Sequence, residues 1–172
     1  FSKAKGSEIW DLDGNKFLDM YIMGVGTNVL GYGNEEVDNA VLSAVKKGNM
    51  STLNCGEEVF LTEELLRINP WAGMAKYART GGEANAIAIR IARAASGKEK
   101  VAVCGYHGWH DWYLAANLNN NTKMNDLLIP GLESAGVPTG LADTIEPFYY
   151  NDYEGLKQIV DHGDVGVVKI EV

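Results

Sequence analysis

One stretch decides the fold of this chain: residues 74–104, which read MAKYARTGGEANAIAIRIARAASGKEKVAVC. Its opening residues predict a short strand, which Thr80-Gly81-Gly82 interrupts. Residues 83–95 have the composition of a helix, and the apolar residues 101–104 predict a second strand. A strand, a turn, a helix and another strand in this order indicate an α/β fold, with a mostly parallel sheet covered by helices.

The residues before this stretch predict a hairpin and two helices. Residues 8–22 place two apolar runs around Asp13-Gly14-Asn15, which suits a tight turn between antiparallel strands. Asn34 is a suitable N-cap for a helix that ends before Gly48, because Asn side chains accept hydrogen bonds from the first amides of a helix. A second helix is predicted over residues 57–68.

The residues after it predict a long loop, a helix and a final strand. Residues 117–147 have no regular periodicity, so we expect a loop that is either functional or mobile. Asn151 and Asp152 predict the start of a helix that continues through Asp161, and residues 165–172 predict an apolar strand. The chain begins at Phe1 and ends inside that apolar run, which indicates part of a longer protein.

Composition and charge restrict the class of protein. The 172 residues are 46% hydrophobic and 22% charged, which is typical of a folded domain. The net charge of −8 opposes binding to nucleic acid and to anionic membranes. No run approaches the roughly 18 apolar residues that span a bilayer, and Cys55 and Cys104 lack metal-site or disulfide spacing. We therefore expect a soluble cytoplasmic protein with free thiols.

Two loops carry candidate binding residues. Thr80-Gly81-Gly82-Glu83 stands at a predicted helix start, where free amides and the helix dipole favour an anion such as phosphate. The other interpretation is a plain Gly-Gly turn with Glu83 matched to the dipole. Residues 104–113 follow the next strand and offer aromatic rings and two histidines, either for a ligand or for closing the core. Both loops are expected at the carboxyl edge of the sheet.

A metal site is an alternative use of the second loop. His107, His110 and Asp111 are chemically suitable ligands, and His162 is a possible further one. Such a site would indicate a metal-dependent hydrolase. A non-catalytic module that binds a phosphate ligand is the other alternative.

The two loops together resemble a known family. Residues 79–93 followed by Tyr106-His107-Gly108 are similar to the class III pyridoxal-phosphate aminotransferases, most of all to the glutamate-1-semialdehyde aminotransferase/aminomutase branch. The hairpin at residues 9–15 and the turn at residues 30–33 resemble the N-terminal part of the same family. The resemblance covers nearly the whole chain.

This resemblance implies an N-terminal fragment of a fold type I pyridoxal-phosphate transferase. Residues 1–48 would contribute to the small domain, and residues 49–172 would form the first part of the large cofactor-binding domain. It also implies a homodimer, a small-molecule amino donor and a carbonyl acceptor. The implied reaction is transfer of an amino group to a carbonyl compound, or an aminomutase reaction within a substrate like glutamate-1-semialdehyde.

The resemblance also assigns site residues. Gly81 and Gly82 would bind the phosphate of pyridoxal 5'-phosphate through their amides, Tyr106 would stack on its ring, and His107 would accompany Tyr106 as a cofactor-binding residue. The lysine that bonds to the cofactor and the aspartate on its ring nitrogen lie beyond Glu171 in family order. No catalytic residue and no metal ligand is therefore assigned in this chain.

Two departures from the family pattern carry expectations of their own. The phosphate turn usually reads Ser-Gly-Thr or Ser-Gly-Ser, whereas Thr80-Gly81-Gly82 lacks a hydroxyl at its third position, so weaker phosphate binding is expected. Residues 24–27 lack an aromatic residue found in many aminomutases, which favours another carbonyl substrate. Residues 117–147 correspond to a mobile active-site loop of this branch.

Overall fold

The structure, a computed structural model, describes residues 1–48, 51–118 and 133–171. The chain forms two compact units, Phe1–Gly73 and Met74–Val172. The predicted assignment of residues 1–48 to a small domain and 49–172 to a large one concerns the complete protein and stays a prediction.

The first unit begins with a small antiparallel sheet. Strands β1 (Lys3–Lys5), β2 (Glu8–Trp10) and β3 (Lys16–Leu18) pair in the order β1-β2-β3. The turn between β2 and β3 is held by the Asp11 carboxylate, which accepts the amides of Asp13 at 2.9 Å and Asn15 at 2.8 Å. The predicted hairpin is therefore confirmed, and β1 adds a strand that the sequence pattern did not indicate.

Two helices complete this unit. Helix α1 (Glu35–Lys47) begins after Asn34, whose side chain accepts the amides of Glu36 and Val37. Helix α2 (Gly56–Ile68) follows. Both predicted helices are confirmed within a residue of their expected ends.

The second unit is built on a parallel sheet. Its elements in chain order are α3 (Gly81–Ser96), β4 (Lys100–Cys104), α4 (Asp111–Leu114), β5 (Ile145–Pro147), α5 (Tyr153–Asp161) and β6 (Val165–Ile170). The strands lie in the order β5-β4-β6, and β4 is parallel to both neighbours. This arrangement confirms the expected α/β class and the partial fold type I architecture.

Strand β4 has a buried side chain on each face of the sheet. Val101 and Val103 pack with Ile89 of α3 in one core cluster. Ala102 and Cys104 point the opposite way, because successive side chains of a strand alternate, and join Phe148 with residues of α5. Helices therefore cover both faces of β4, which is why its sequence is continuously apolar.

The predicted strand at residues 74–79 is wrong. These residues have no regular secondary structure, and Met74 is 90% exposed. In the described ranges the parallel sheet consists of β5, β4 and β6, and none of these strands pairs with this segment. Helix α3 is consequently entered from a loop.

The predicted loop at residues 117–147 contains a strand, β5, that the sequence pattern missed. Three residues ending in Pro147 are too few to show a period of two. Residues 119–132 lie outside the described residues, so the expected mobility of this loop lies outside them too. Within the described ranges, no helix combines the length and the apolar composition needed to cross a membrane.

Candidate cofactor-binding site

The two candidate loops border one cavity in the second unit. The cavity has a volume of about 540 Å³, and its lining includes Thr80, Gly81, Gly82, Tyr106, His107 and His110. The prediction that both loops face the same site is confirmed. It follows from the fold, since the second loop leaves the carboxyl end of β4 beside the first turn of α3.

The N-terminus of α3 is capped by two side chains. Thr80 Oγ1 accepts the amide of Glu83 at 3.2 Å, and the Glu83 carboxylate accepts the amide of Arg79 at 2.9 Å. In the described part of the chain, the amides of Gly81 and Gly82 have no hydrogen-bond acceptor. Because Glu83 is engaged in capping, these two amides remain available to an anion at the positive end of the helix dipole.

The two loops touch through their backbones. Gly108 has a φ of +101°, and a Cβ atom there would lie 3.2 Å from the Cα of Gly82. The side-chain amide of Asn85 donates a hydrogen bond to the carbonyl of His107 at 3.1 Å. These contacts fix the distance between the α3 amides and the aromatic loop.

Tyr106 presents its ring at the cavity. Its side chain is 40% exposed, and its ring lies edge-to-face with Tyr113 at a centroid distance of 6.1 Å. Its amide donates to Glu171 Oε2 at 2.8 Å, and the amide of Glu171 in turn donates to the carbonyl of Cys104 at 3.0 Å. The end of β6 therefore positions the backbone of Tyr106.

His107 has a different environment from Tyr106. Its side chain is 3% exposed, and Nε2 lies 2.9 Å from the carbonyl of Cys104, so Nε2 carries the proton. Burial lowers the pKa of His107, and the cation of Lys169 lowers it further. The imidazole is thus a neutral group that stacks on Trp112 and anchors the loop, while His107 still borders the cavity.

The alternative metal site finds no support in the geometry. In residues 1–48, 51–118 and 133–171, no three His, Cys, Asp or Glu side chains come together as a metal site. The ring of His107 is bonded to the backbone, and His162 borders a separate pocket with Lys100 and Asp164.

Sequence reasoning missed three residues of this site: Asn85, Tyr113 and Glu171. Tyr113 is fully buried, and its hydroxyl donates to the carbonyl of Gly105 at 2.7 Å. Burial raises the pKa of Tyr113, so the hydroxyl stays protonated as a donor. Each of the three forms a side-chain hydrogen bond to the backbone of the loop that follows β4. Chain spacing gave no signal for Asn85 or Glu171, and Tyr113 stood in the quoted aromatic segment without an assigned role.

The amino-acid sequence is similar to those of known aminotransferases and aminomutases. The chain is 35% identical over 162 residues to a 3-aminobutyryl-CoA aminotransferase from Cloacimonas acidaminovorans, covering 94% of this chain and 35% of that protein. It is 33% identical over 171 residues to a glutamate-1-semialdehyde 2,1-aminomutase from Methanothrix thermoacetophila, covering 98% and 38% respectively. The chain therefore spans little more than a third of the length of these relatives.

A solved structure and a family model extend the agreement. A transaminase solved with PLP bound superposes with a TM-score of 0.82 and 25% identity, covering 98% of this chain and 39% of that one. The family model described as aminotransferase class-III matches residues 1–146, which include both loops of the cavity. The chain belongs to the class-III aminotransferase family.

Proposed function

We propose that this chain supplies the phosphate- and ring-binding part of a pyridoxal 5'-phosphate enzyme that transfers an amino group to a carbonyl compound. The observation that carries the proposal is a single cavity holding the free amides of Gly81 and Gly82 together with the exposed ring of Tyr106. A volume of about 540 Å³ suits a small cofactor with part of its substrate. Membership of the family and the PLP-bound transaminase support it.

The residues present fit both ends of the cofactor. Gly81 and Gly82 offer amides and a helix dipole to a phosphate, and Gly81 allows close approach because the space beside it is open among the described residues. Tyr106 offers an aromatic ring for stacking, while Glu171 holds its backbone and Tyr113 packs edge-to-face with its ring. His107 fits a supporting role, since its ring anchors the loop.

Each group has a defined part in the reaction. The cofactor supplies an electron sink that stabilises negative charge next to an amine. The amides of Gly81 and Gly82 hold the phosphate, and Tyr106 sets the plane of the ring.

The substrates of the complete protein are part of the same proposal. Its substrates are a small-molecule amino donor and a carbonyl acceptor, or a single substrate of the glutamate-1-semialdehyde type. The names of the two relatives support these two possibilities. A homodimer, a cytoplasmic location and the division into small and large domains stay predictions.

The proposal is tested with the full-length protein. Titration with pyridoxal 5'-phosphate should produce a visible absorption band that survives dialysis, and incubation with amino donors and keto acids should transfer the amino group. Absence of cofactor binding would refute the proposal. Cofactor binding without amino transfer or isomerisation of any substrate would favour the non-catalytic binding module.

Replacing Tyr106 by alanine tests the ring-binding role. We expect the dissociation constant for pyridoxal 5'-phosphate to rise about fivefold, since aromatic stacking contributes on the order of 1 kcal/mol. Tyr106→Phe is the matched control, because it keeps the ring, and its affinity should stay close to that of the parent protein. Cofactor titration followed by absorbance measures both variants. Equal affinity in Tyr106→Ala and the parent would contradict the assignment.

Replacing Glu171 by alanine tests how the backbone of Tyr106 is positioned. The amide of Tyr106 loses its acceptor, so we expect cofactor affinity to fall about fivefold, as for the loss of one hydrogen bond. Glu171→Gln keeps an oxygen acceptor of the same length and should retain most of the affinity. If glutamine were as damaging as alanine, the hydrogen bond would not be the cause.

A further inference from the structure

The imidazole of His110 occupies the space that a side chain at position 82 would fill. A Cβ atom built on Gly82 would lie 2.7 Å from both Cδ2 and Nε2 of His110. Real Cβ atoms do not approach other atoms this closely, so a side chain at residue 82 would displace the ring, which is the far end of the His110 side chain. Gly81, by contrast, faces open space at the same helix terminus.

His110 has an exposed side chain on a backbone that is held by hydrogen bonds. Its carbonyl accepts the amides of Tyr113 and Leu114 at 2.9 and 3.1 Å, which fixes the backbone at the start of α4. The side chain makes no capping hydrogen bond, and among the described residues neither ring nitrogen has a partner. His110 also borders the cavity together with Gly81 and Gly82.

We propose, resting on the proposed function, that His110 is a phosphate ligand of the cofactor and donates a hydrogen bond from Nε2. The ring borders the same cavity as the two free amides of α3, and its Nε2 lies 2.7 Å from the place of a Cβ on residue 82. Nε2 of an imidazole carries a proton in one neutral tautomer and in the cation, and either form can donate to a phosphate oxygen. The hydrogen bond is stronger when the ring is charged. Gly82 leaves this ring its place, because it has no side chain.

The alternative is that His110 only fills space against the backbone. The two explanations differ in what they require of the ligand. A phosphate ligand matters for pyridoxal 5'-phosphate and not for pyridoxal, which lacks the phosphate. A space-filling ring affects both ligands alike, through the position of the loop.

The experiment compares the two ligands on the full-length protein after removal of bound cofactor. Dissociation constants for pyridoxal 5'-phosphate and for pyridoxal are measured by absorbance titration for the parent, His110→Ala, Gly82→Ser and the double variant. For His110→Ala we expect the constant for pyridoxal 5'-phosphate to rise about tenfold or more, the scale of one hydrogen bond to a charged group, with that for pyridoxal unchanged. Equal changes for the two ligands, or no change, would overturn the proposal.

The double variant makes the test independent of any one substitution. Gly82→Ser alone should weaken binding, because its Cβ collides with the ring of His110. In the His110→Ala background the serine side chain has room and offers a hydroxyl to the phosphate, so the double variant should bind pyridoxal 5'-phosphate more tightly than either single variant. If the losses of affinity in the two single variants simply added in the double variant, the proposal that the ring of His110 and a side chain at residue 82 compete for one place would be overturned.

The readouts separate this proposal from the proposed function. A parent protein that binds no pyridoxal 5'-phosphate refutes the proposed function and this inference with it. A parent protein that binds the cofactor, with an unchanged preference over pyridoxal in His110→Ala, refutes the role of His110 and leaves the proposed function intact.

Discussion

Replacing Gly108 by alanine is expected to weaken binding of pyridoxal 5'-phosphate by tenfold or more, on the order of the 1–3 kcal/mol that a strained backbone costs. Two causes act together. The φ of +101° is one that L-residues rarely adopt, and the new Cβ would lie 3.2 Å from the Cα of Gly82. The atom that the new Cβ meets belongs to the backbone of Gly82, which cannot move away as a side chain can. The loop is therefore expected to shift from the α3 amides.

Gly136→Ala is the matched control for this variant. Gly136 has a comparable φ of +89°, but no atom of the described residues lies within 4 Å of its Cβ position. Alanine there should lower stability through backbone strain and leave cofactor affinity unchanged. Cofactor titration and thermal denaturation of both variants separate strain from the contact with Gly82. Unchanged affinity in Gly108→Ala would show that the approach of the two loops does not shape the site.

Replacing Tyr113 by alanine is expected to reduce the free energy of unfolding by about 3–5 kcal/mol, the usual cost of removing a fully buried aromatic side chain. The ring is inaccessible to solvent and packs in the same cluster as Val101 and Val103 of β4. It also contacts the rings of Tyr106 and His107. The variant should therefore lose cofactor affinity together with stability.

Tyr113→Phe separates the hydrogen bond from the packing. The phenylalanine keeps the ring contacts and removes only the donor to the carbonyl of Gly105, so we expect a loss of about 1 kcal/mol. Denaturant unfolding, compared at the transition midpoint for both variants, provides the measurement. A phenylalanine variant as unstable as the alanine variant would assign the main role to the hydroxyl.

The helix ends and tight turns of this chain were predictable because their contacts are local. Asn34 caps α1 through the amides of the next turn, and Asp152 caps α5 by accepting the amide of Gly155 at 2.9 Å. The Asp11 turn closes within four residues of chain. Such hydrogen bonds join neighbours in sequence, so the residue types that form them are visible in the pattern.

Sheet membership was less predictable because it depends on partners that are distant in the chain. Residues 74–79 have suitable residue types for a strand, but no strand of the described residues pairs with them. The opposite holds for β5, which is three residues long and ends in Pro147, yet pairs in parallel with β4. Strand propensity describes a side chain on a half-buried surface, and the surface itself is formed by the rest of the fold.

The site shows the same division between local and distant contacts. Residue types and order placed an anion-binding turn at Gly81 and Gly82, an aromatic loop at Tyr106, and both loops at one sheet edge. Sequence could not reveal that the ring of His110 fills the place of a side chain on residue 82, or that Glu171 holds the amide of Tyr106. Those contacts exist because β4 and β6 lie side by side and α3 packs against them, which brings residues far apart in the chain within hydrogen-bond distance.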